Sequence, residues 1–281
     1  MKNRYRFLSL TLLLLAGLSA RAETTNCTAI TQLPKVITSQ GVYCLTGNLS
    51  TSMTTGNAIE IQANNVTIDL NGYKLGGLGA GAGTNATGIF ADQRKNITIK
   101  NGITRGFLFG ILLRDFSLTT SSGHVVKNIL ADQNTLTGIG VMGLGHTVSH
   151  NTVVDTGGST IFNAPVGIVV VGSGAKVTGN AVSTTTATGT GRAVGIFLES
   201  ADYSLAQNNT VTDTLTTGTG GRFAIEIQSS AGVFLSSNNL ANAGVGLNFV
   251  SSSGKYFNTL TFDIPTVDRF IGGTAVGNNN N

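Results

Sequence analysis

Charged residues are scarce in this chain, and long apolar runs are nearly absent. Asp, Glu, Lys and Arg make up 11% of the 281 residues, whereas ordinary soluble domains contain about 25%. Such a chain could be disordered, but disorder requires too little apolar surface to offset chain entropy, and 41% of these residues are hydrophobic. Beyond residue 22 there is no run of 18 apolar residues, which argues against a membrane-spanning helix. We therefore expect a compact fold.

The first 22 residues have the features of a cleavable signal peptide. A basic start, MKNRYRF, precedes an apolar segment at 8–18 and the motif Ala20-Arg21-Ala22, so we expect cleavage near Ala22 and a secreted or periplasmic protein without a membrane anchor. Four of the 17 basic residues lie in this segment, and the other 13 equal the 13 acidic residues in number. A net charge near zero gives no electrostatic basis for binding nucleic acid.

The chain has two cysteines, Cys27 and Cys44, both near the expected mature N-terminus. In an exported protein an even number of cysteines favours a disulfide. Closing so short a loop would stabilise the fold by about 3 kcal/mol. Two free thiols are the alternative, and we do not expect a catalytic cysteine.

One pattern returns along nearly the whole chain: a short apolar strand opened by Gly or Ala before Ile, then a second short strand and an asparagine. The segment PVGIVVVGSGAKVTGNAV at 165–182 shows all of these parts. The first strands centre on residues 22 to 30 positions apart, namely Ile59, Ile89, Ile111, Ile139, Ile168, Ile196, Ile225 and Leu247. The associated asparagines are Asn71, Asn101, Asn128, Asn151, Asn180, Asn208 and Asn238. We predict one left-handed turn position per coil, where stacked Asn side chains form a hydrogen-bonded ladder.

This repeat length, in β-branched strands without an amphipathic helical pattern, indicates a solenoid whose coils pack on one another. Alternation within a strand places Ile168 and Val170 inside and Val169 outside. A β-sandwich would also give many short strands, but the fixed phasing between two kinds of strand argues against it. We predict an all-β parallel β-helix of about eight coils at 55–254, with an N-terminal cap at 23–54 and a C-terminal cap and tail at 255–281.

The asparagine motif and the segment ITSQGVYCLTGNL…NAIEIQANNVTIDLNGYKLGG resemble secreted bacterial right-handed parallel β-helix proteins of the pectate-lyase-like superfamily. The similarity covers roughly residues 35–260. It implies a right-handed solenoid and a carbohydrate partner. It does not select one activity, because that superfamily contains lyases, hydrolases, epimerases, tailspikes and non-enzymes. Lyases of this kind use Arg or Lys with acidic Ca²⁺ ligands, so the resemblance makes Ca²⁺ a candidate cofactor.

Four connections between coils are longer than the others and rich in Gly and Thr. They follow Asn71, Asn151, Asn180 and Asn208 and take 16 to 18 residues, against 9 to 11 elsewhere. All four leave the coil at the same corner, so we expect the three consecutive ones to stack into a wall beside the Ile strands. Loops on one face of a solenoid are where binding usually resides.

Stacked strands would arrange the outward-facing residues in columns. One position after each Ile lie Glu60, Phe90, Leu112, Gly140, Val169, Phe197, Glu226 and Asn248. This column is apolar in its middle, and a large exposed apolar patch usually marks an interface or a covered surface. Three interpretations stay open. The inserted segment 115–124 or a long loop covers the patch, it forms a subunit contact, or Phe90 and Phe197 build a sugar-stacking groove.

In the next outward column Asp92 and Arg114 fall on adjacent coils, about 4.8 Å apart in backbone. One interpretation is a surface ion pair worth less than about 1 kcal/mol. In the other, Arg114 binds an acidic sugar or abstracts a proton from it, with Asp92, Asp115 and Glu199 as acids or cation ligands. The sequence shows neither three adjacent carboxylates nor the paired aspartates and Gly-His-Gly of polygalacturonases.

A further column, directly before the asparagines, contains Lys100, Lys127 and His150 on consecutive coils. Pointing outward, these side chains would form a basic ladder suited to a carboxylated or sulfated glycan; the alternative is solvated surface charge. His146 and His150 have a spacing that binds a metal on a helix, but along a strand it amounts to about 13 Å. We therefore predict no metal site of this kind.

The sequence supports two hypotheses about function. In the first, the exported β-helix binds an extracellular polysaccharide, and in a lyase-type reaction cleaves it, along the outer face near coils two to six. In the second, it is a non-catalytic surface, adhesion or structural protein whose apolar stripe makes protein contacts, including contacts that form an oligomer. The resemblance favours the first, whereas the scarcity of ionisable residues favours the second.

Overall fold

The computed structural model describes residues 26–265, 270–277 and 279, and the predicted signal peptide at 1–22 lies outside them. Within this part of the chain a 3-10 helix spans Leu78–Ala80. The strands are β1 (Thr28–Ile30), β2 (Lys35–Ile37), β3 (Gly41–Leu45), β4 (Leu49–Ser50), β5 (Asn57–Ile61), β6 (Val66–Asp69), β7 (Lys74–Gly76), β8 (Thr87–Asp92), β9 (Thr98–Arg105), β10 (Phe109–Arg114), β11 (Val125–Asp132), β12 (Thr137–Met142), β13 (Thr147–Ser149), β14 (Thr152–Gly157), β15 (Val166–Val171), β16 (Lys176–Thr178), β17 (Ala181–Ala187), β18 (Ala193–Glu199), β19 (Leu205–Gln207), β20 (Thr210–Thr216), β21 (Arg222–Gln228), β22 (Val233–Ser236), β23 (Asn239–Ala241), β24 (Val245–Val250), β25 (Gly254–Phe257), β26 (Leu260–Phe262), β27 (Phe270–Ile271) and β28 (Thr274–Ala275).

These strands form the three faces of one continuous solenoid. Face 1 is a ten-stranded sheet made of β2, β5, β8, β10, β12, β15, β18, β21, β24 and β27. The other eighteen strands form one bent sheet. Its first half, face 2, contains β1, β3, β6, β13, β16, β19, β22, β25 and β28, and its second half, face 3, contains β4, β7, β14, β17, β20, β23 and β26. β9 and β11 run through the bend, because their two halves pair with strands of different faces.

The described strands pair in parallel with strands one coil away, and the predicted Ile column stacks in register. Ile139 lies between Ile111 and Ile168 on face 1. All eight members of the column are fully buried, and each such side chain contributes roughly 1.5–3 kcal/mol. The predicted alternation is confirmed, since Ile168 and Val170 are fully buried and Val169 is partly exposed. The parallel β-helix is therefore confirmed.

Glycine precedes six of the eight residues of the Ile column, and alanine precedes Ile59 and Ile225; at Gly167 the missing side chain allows the coils to approach closely. A Cβ atom added at Gly167 would lie 2.7 Å from the carbonyl oxygen of Gly195 on the next coil and 2.5 Å from Cγ1 of Val182 across the interior. Real side chains do not tolerate contacts this short, because the interior is packed as densely as an organic crystal. The Gly-Ile pattern of the sequence is thus a packing requirement of face 1.

The segments predicted as caps contribute strands to the same solenoid. At the N-terminal end β2 pairs with β5 and β1 with β3; at the other end β27 pairs with β24 and β28 with β25. Cys27 and Cys44 form a disulfide with their Cα atoms 5.8 Å apart, which confirms the predicted bond. No helix in the described ranges is long and apolar enough to cross a membrane, and the disulfide fits an extracellular or periplasmic environment.

The asparagines do not form the single column that the sequence predicts. An outer column of left-handed residues, with φ between 52° and 66°, consists of Asn101, Asn128, His150, Gly179, Asn208 and Ser237. An inner column, one residue later, consists of Asn151, Asn180, Asn209 and Asn238, all buried. The prediction of a single column was wrong, because its asparagines belong to both columns. The left-handed turn accepts Asn, Gly, His or Ser, whereas the side-chain ladder is made by asparagine alone.

The inner column forms the continuous ladder, and the outer column adds one bond of the same kind, from Nδ2 of Asn128 to Oδ1 of Asn101 at 3.1 Å. Oδ1 of Asn180 accepts hydrogen bonds from the backbone N–H (3.1 Å) and from Nδ2 (3.0 Å) of Asn151. Nδ2 of Asn180 donates to Oδ1 of Asn209 (3.0 Å) and to the carbonyl oxygen of Val148 (2.9 Å). Asn209 repeats this pattern with Asn238. The amides thus satisfy backbone groups at the bend between faces 2 and 3, where buried polar groups need partners.

Candidate functional site

Face 1 is flanked on one side by a loop wall. The loop wall consists of segments 77–86, 158–165, 188–192 and 217–221. Neighbouring segments are hydrogen-bonded, since the N–H of Thr219 donates to the carbonyl oxygen of Gly189 at 2.9 Å. The connection from the first coil joins the stack, because the N–H of Thr160 donates to the carbonyl oxygen of Ala82 at 3.1 Å. The predicted wall is therefore confirmed.

On the other side of face 1 lies the insertion at 115–124, between β10 and β11, which Asp115 organises. Oδ1 of this fully buried residue accepts from the N–H (3.0 Å) and the hydroxyl (2.6 Å) of Ser117. Oδ2 accepts from the N–H groups of Thr120 (2.8 Å) and Ser121 (2.7 Å). Burial opposes the charge, but these hydrogen bonds outweigh it and lower the pKa of Asp115 to about 2. The carboxylate is thus engaged inside the insertion.

Arg114 joins a carboxylate and two aromatic rings on the outer side of face 1. Its Nη2 lies 2.8 Å from Oδ2 of Asp92 and its Nε 3.2 Å from Oδ1, and this pairing raises the pKa of Arg114. Its guanidinium carbon is 5.0 Å from the ring centroid of Phe90 and 5.0 Å from that of Phe116. The side chains of Arg114 and Asp92 are 33% and 42% exposed, and Phe116 is 78% exposed. The insertion therefore places an open aromatic surface beside a forked ion pair.

A second arginine cluster lies farther along face 1 and was not predicted. Arg192 reaches out of the loop wall, pairs with the carboxylate of Glu226, and holds its guanidinium carbon 4.9 Å from the ring centroid of Phe197. Glu226 is fully buried although it belongs to the outward column, and Nδ2 of Asn248 lies 3.5 Å from its other oxygen. Arg192 and Glu226 are 34 positions apart. The only sequence signal was an acidic residue in a largely apolar column.

The apolar column of face 1 is not an open patch. Its predicted register is confirmed, but Leu112 and Phe197 are each 8% exposed. The rings predicted to stack on sugars, Phe90 and Phe197, carry the guanidinium groups of Arg114 and Arg192 instead. The burial of Phe197 agrees with one of the three interpretations, coverage by a long loop, because Arg192 of the loop wall lies over its ring. The subunit contact and the sugar-stacking role of these rings stay predictions.

The predicted acidic residues do not converge on one point. Asp92 is paired with Arg114, and Asp115 is enclosed by the insertion. Glu199 lies in the column of Arg114 but three coils away, about 14 Å along the sheet. Among the described residues no group of three His, Cys, Asp or Glu side chains is placed to hold a metal ion. These three carboxylates do not fit a shared Ca²⁺ site, and a dependence on Ca²⁺ stays a prediction.

The predicted basic ladder is only two residues long. Lys100 and Lys127 pair on adjacent strands as expected, but the next position is Ser149. His150 lies one residue later, in the left-handed turn, because the two asparagine columns were treated as one. Lys100 also lies 3.1 Å from Asp69 on the preceding coil, which offsets part of the positive charge. A binding role for these residues stays a prediction.

His146 takes part in a buried stack that the sequence did not reveal. Its ring lies 4.7 Å from that of His124, with 6° between the planes. Nδ1 of His146 accepts from the N–H of His124 at 3.1 Å, and Nδ1 of His124 accepts from the N–H of Ile97 at 3.2 Å. Burial lowers the pKa of His124 to about 3 and that of His146 to about 4. Both rings are therefore neutral near pH 7, and His150 is exposed on the outside.

No family model and no curated protein matches the chain. Solved structures do match. The enzymatically active domain of tailspike protein 2 from bacteriophage CBA120 superposes with a TM-score of 0.56 at 16% identity, covering 90% of this chain and 39% of that chain. The full-length tailspike protein 2 of an Escherichia coli O157:H7 bacteriophage gives 0.60 at 16% identity, with 92% and 38% covered. The periplasmic alginate epimerase AlgG gives 0.47 at 12% identity, with 87% and 70% covered.

The chain spans about two fifths of the length of the two tailspike structures. At 16% identity this similarity concerns the fold and not the activity. Together with the parallel register of all three faces, it confirms the architecture predicted from the repeat and the right-handedness that the resemblance implies. The protein is a right-handed parallel β-helix.

Proposed function

We propose that the protein is exported and binds an extracellular polysaccharide along face 1, between the loop wall and the insertion. The observation that carries this proposal is the Arg114 cluster, in which a forked ion pair lies beside the open ring of Phe116. A guanidinium and a carboxylate offer planar sets of donors and acceptors that suit sugar hydroxyl and carboxylate groups. An aromatic face offers the apolar contact that a sugar ring needs.

Export and a carbohydrate partner are supported by separate features. The segment at 1–22 has the order of a signal peptide, and the Cys27–Cys44 disulfide suits an oxidising compartment. The carbohydrate class is supported by the resemblance of the repeat to pectate-lyase-like proteins. The tailspike structures support the fold on which such a site is built.

The geometry favours binding over cleavage. A lyase requires a base that can accept a proton near neutral pH. Arg114 is the candidate base, but its pairing with Asp92 raises its pKa above an already high value. Asp115 is enclosed by its own hydrogen bonds, and Glu199 is distant. Lyase-type cleavage is therefore the finer part of the proposal, to be tested separately.

Binding is tested with the purified chain and a panel of neutral and acidic polysaccharides, by affinity electrophoresis or calorimetry. We expect Phe116→Ala to weaken binding about tenfold, as expected for loss of a central aromatic contact. Phe262→Ala is the matched control, because Phe262 is 72% exposed but lies on face 3. Equal affinities of both variants and the wild type would place binding elsewhere.

Cleavage is tested by following the absorbance of unsaturated products on the same acidic glycans, with and without Ca²⁺. Turnover that is abolished in Arg114→Ala, while binding persists, would establish the lyase version. Binding without turnover on any glycan would establish a non-catalytic carbohydrate-binding protein. Absence of glycan binding, together with oligomers that depend on concentration in sedimentation, would favour the surface or adhesion hypothesis.

A further inference from the structure

A cleft on face 3, separate from the proposed polysaccharide site, has a basic and hydroxyl-rich lining. Its volume is about 360 Å³, and it is lined by Ser50, Ser52, Lys74, Gly76, Leu78 and Arg105 together with two neighbours. No acidic side chain lines it. Its size falls within the range of small-molecule sites, about 300–1,000 Å³.

The cleft exists because Gly76, in one column of face 3, has no side chain. Ser50, Gly76 and Arg105 stand above one another on β4, β7 and β9. At Gly76 an added Cβ would lie 3.0 Å from Oγ of Ser50 and 3.5 Å from Cε of Lys74. The serine hydroxyl and the lysine stem therefore converge over the bare backbone of Gly76. Leu78, from the adjoining 3-10 helix, adds an apolar side.

The charges of the cleft are unbalanced. Arg105 contacts Asp132 through Nε at 2.9 Å, and Asp132 lies outside the lining. Arg105 itself belongs to the lining of the cleft. Within the described ranges Lys74 has no carboxylate within ion-pair distance. One cation thus remains without a counter-charge beside two serine hydroxyls.

We propose that this cleft is a binding site for an oxyanion, a phosphate or sulfate group. A lysine ammonium, a guanidinium fork and hydroxyl donors are the groups that proteins use to hold tetrahedral oxyanions. The volume exceeds that of the ion alone, so the cleft also accommodates a sugar ring to which the group is esterified. The site does not depend on the polysaccharide site, because Arg114 lies on face 1 and Lys74 on face 3.

The test titrates the full chain with inorganic phosphate, inorganic sulfate and a hexose 6-phosphate, followed by calorimetry. We expect saturable binding of one equivalent that weakens with added salt. Comparable affinities for free ions and ester would identify a simple oxyanion site. An ester that binds at least tenfold more tightly would show that the cleft also holds the sugar.

Variants distinguish binding in this cleft from nonspecific binding to charged residues elsewhere on the surface. Lys74→Gln is expected to raise the Kd about tenfold, by loss of one charge-assisted contact. Gly76→Val is expected to abolish binding by filling the cleft with both cations retained. Lys176→Gln, which alters an exposed lysine on face 2, is expected to bind as the wild type does. The proposal is overturned if none of the three probes binds saturably. It is equally overturned if Lys74→Gln, with an unchanged circular dichroism spectrum, retains wild-type affinity.

Discussion

Replacing Asn180 by alanine tests the division of the asparagines into two columns. The substitution removes four hydrogen bonds: two accepted by Oδ1 from Asn151, and one each donated by Nδ2 to Asn209 and to Val148. The buried N–H of Asn151 loses its acceptor. Oδ1 of Asn209 keeps a partner, because the backbone N–H at position 180 still donates to it.

The expected loss of stability follows from the polar groups that the substitution leaves without a hydrogen-bond partner. A buried donor without an acceptor costs about 1–3 kcal/mol, and each of the other lost bonds has a net contribution of about 0.5–1.5 kcal/mol. Some of those partners find substitutes, so we expect Asn180→Ala to lower the free energy of unfolding by about 3 kcal/mol. With a slope of about 3 kcal/mol per molar urea, the denaturation midpoint falls by about 1 M. Circular dichroism at increasing urea concentrations measures this shift.

The control is Asn208→Ala, since Asn208 belongs to the outer column. It is exposed and has a left-handed backbone, with φ of 55°. Alanine there incurs only the left-handed strain, about 1 kcal/mol, and Asn208→Gly should incur none. If Asn180→Ala and Asn208→Ala lowered the midpoint equally, the ladder and the left-handed turn would not be separate functions of adjacent positions.

Three further predictions concern stability. Gly167→Ala should lower the urea midpoint by the equivalent of about 1–3 kcal/mol, whereas Gly47→Ala, with open space around its Cα, should leave it unchanged; equal midpoints would refute the close-approach argument. The folded-state pKa values of His124 and His146 lie below the usual 6.5, so the unfolded chain binds more protons between pH 6.5 and pH 4, and stability should fall by about 2 kcal/mol per imidazole at pH 5. Urea midpoints at pH 7.5 and pH 5 measure this loss of stability. The control His150→Gln, at an exposed position, should show the same pH dependence as the wild type. A stability that does not change with pH would contradict the neutral buried stack. The double variant of Cys27→Ala and Cys44→Ala should unfold with about 3 kcal/mol less stability in calorimetry, and an unchanged transition would show that the first rung does not need the bond.

The columns of face 1 were predictable because each coil repeats the same packing problem. Eight residues centred from Ile59 to Leu247 must fill the same interior slot, so their spacing alone gives the register of the sheet. Once that register is known, the neighbours of each side chain along a column follow without further information. The pairing of Asp92 with Arg114 was obtained in this way, and it is present at 2.8 Å.

The asparagine columns were mixed because two adjacent positions favour the same residue for different reasons. The left-handed turn accepts Asn128 or Asn208 since a short polar side chain tolerates positive φ. The ladder uses Asn180 because only an amide both donates and accepts in its plane. Composition at these positions cannot distinguish the two roles. Only the pairing of Lys127 with Ser149 shows that His150 occupies the turn position of its coil and that Asn151 lies one residue beyond it.

The chemistry of the site depends on segments that interrupt the repeat, which is why it was harder to predict than the fold. Arg192 covers Glu226 from the loop wall, and Phe116 reaches Arg114 from the insertion. Neither residue belongs to a position that recurs at the Ile or Asn spacing, so the repeat does not give its contacts. The periodic residues provide a rigid plane of columns about 4.8 Å apart, and the aperiodic loops decide which of those columns are closed by an arginine and which stay open to a ligand. A homologous β-helix with the same interior but a different insertion at 115–124 would therefore keep the fold and lose the proposed binding surface at Phe116.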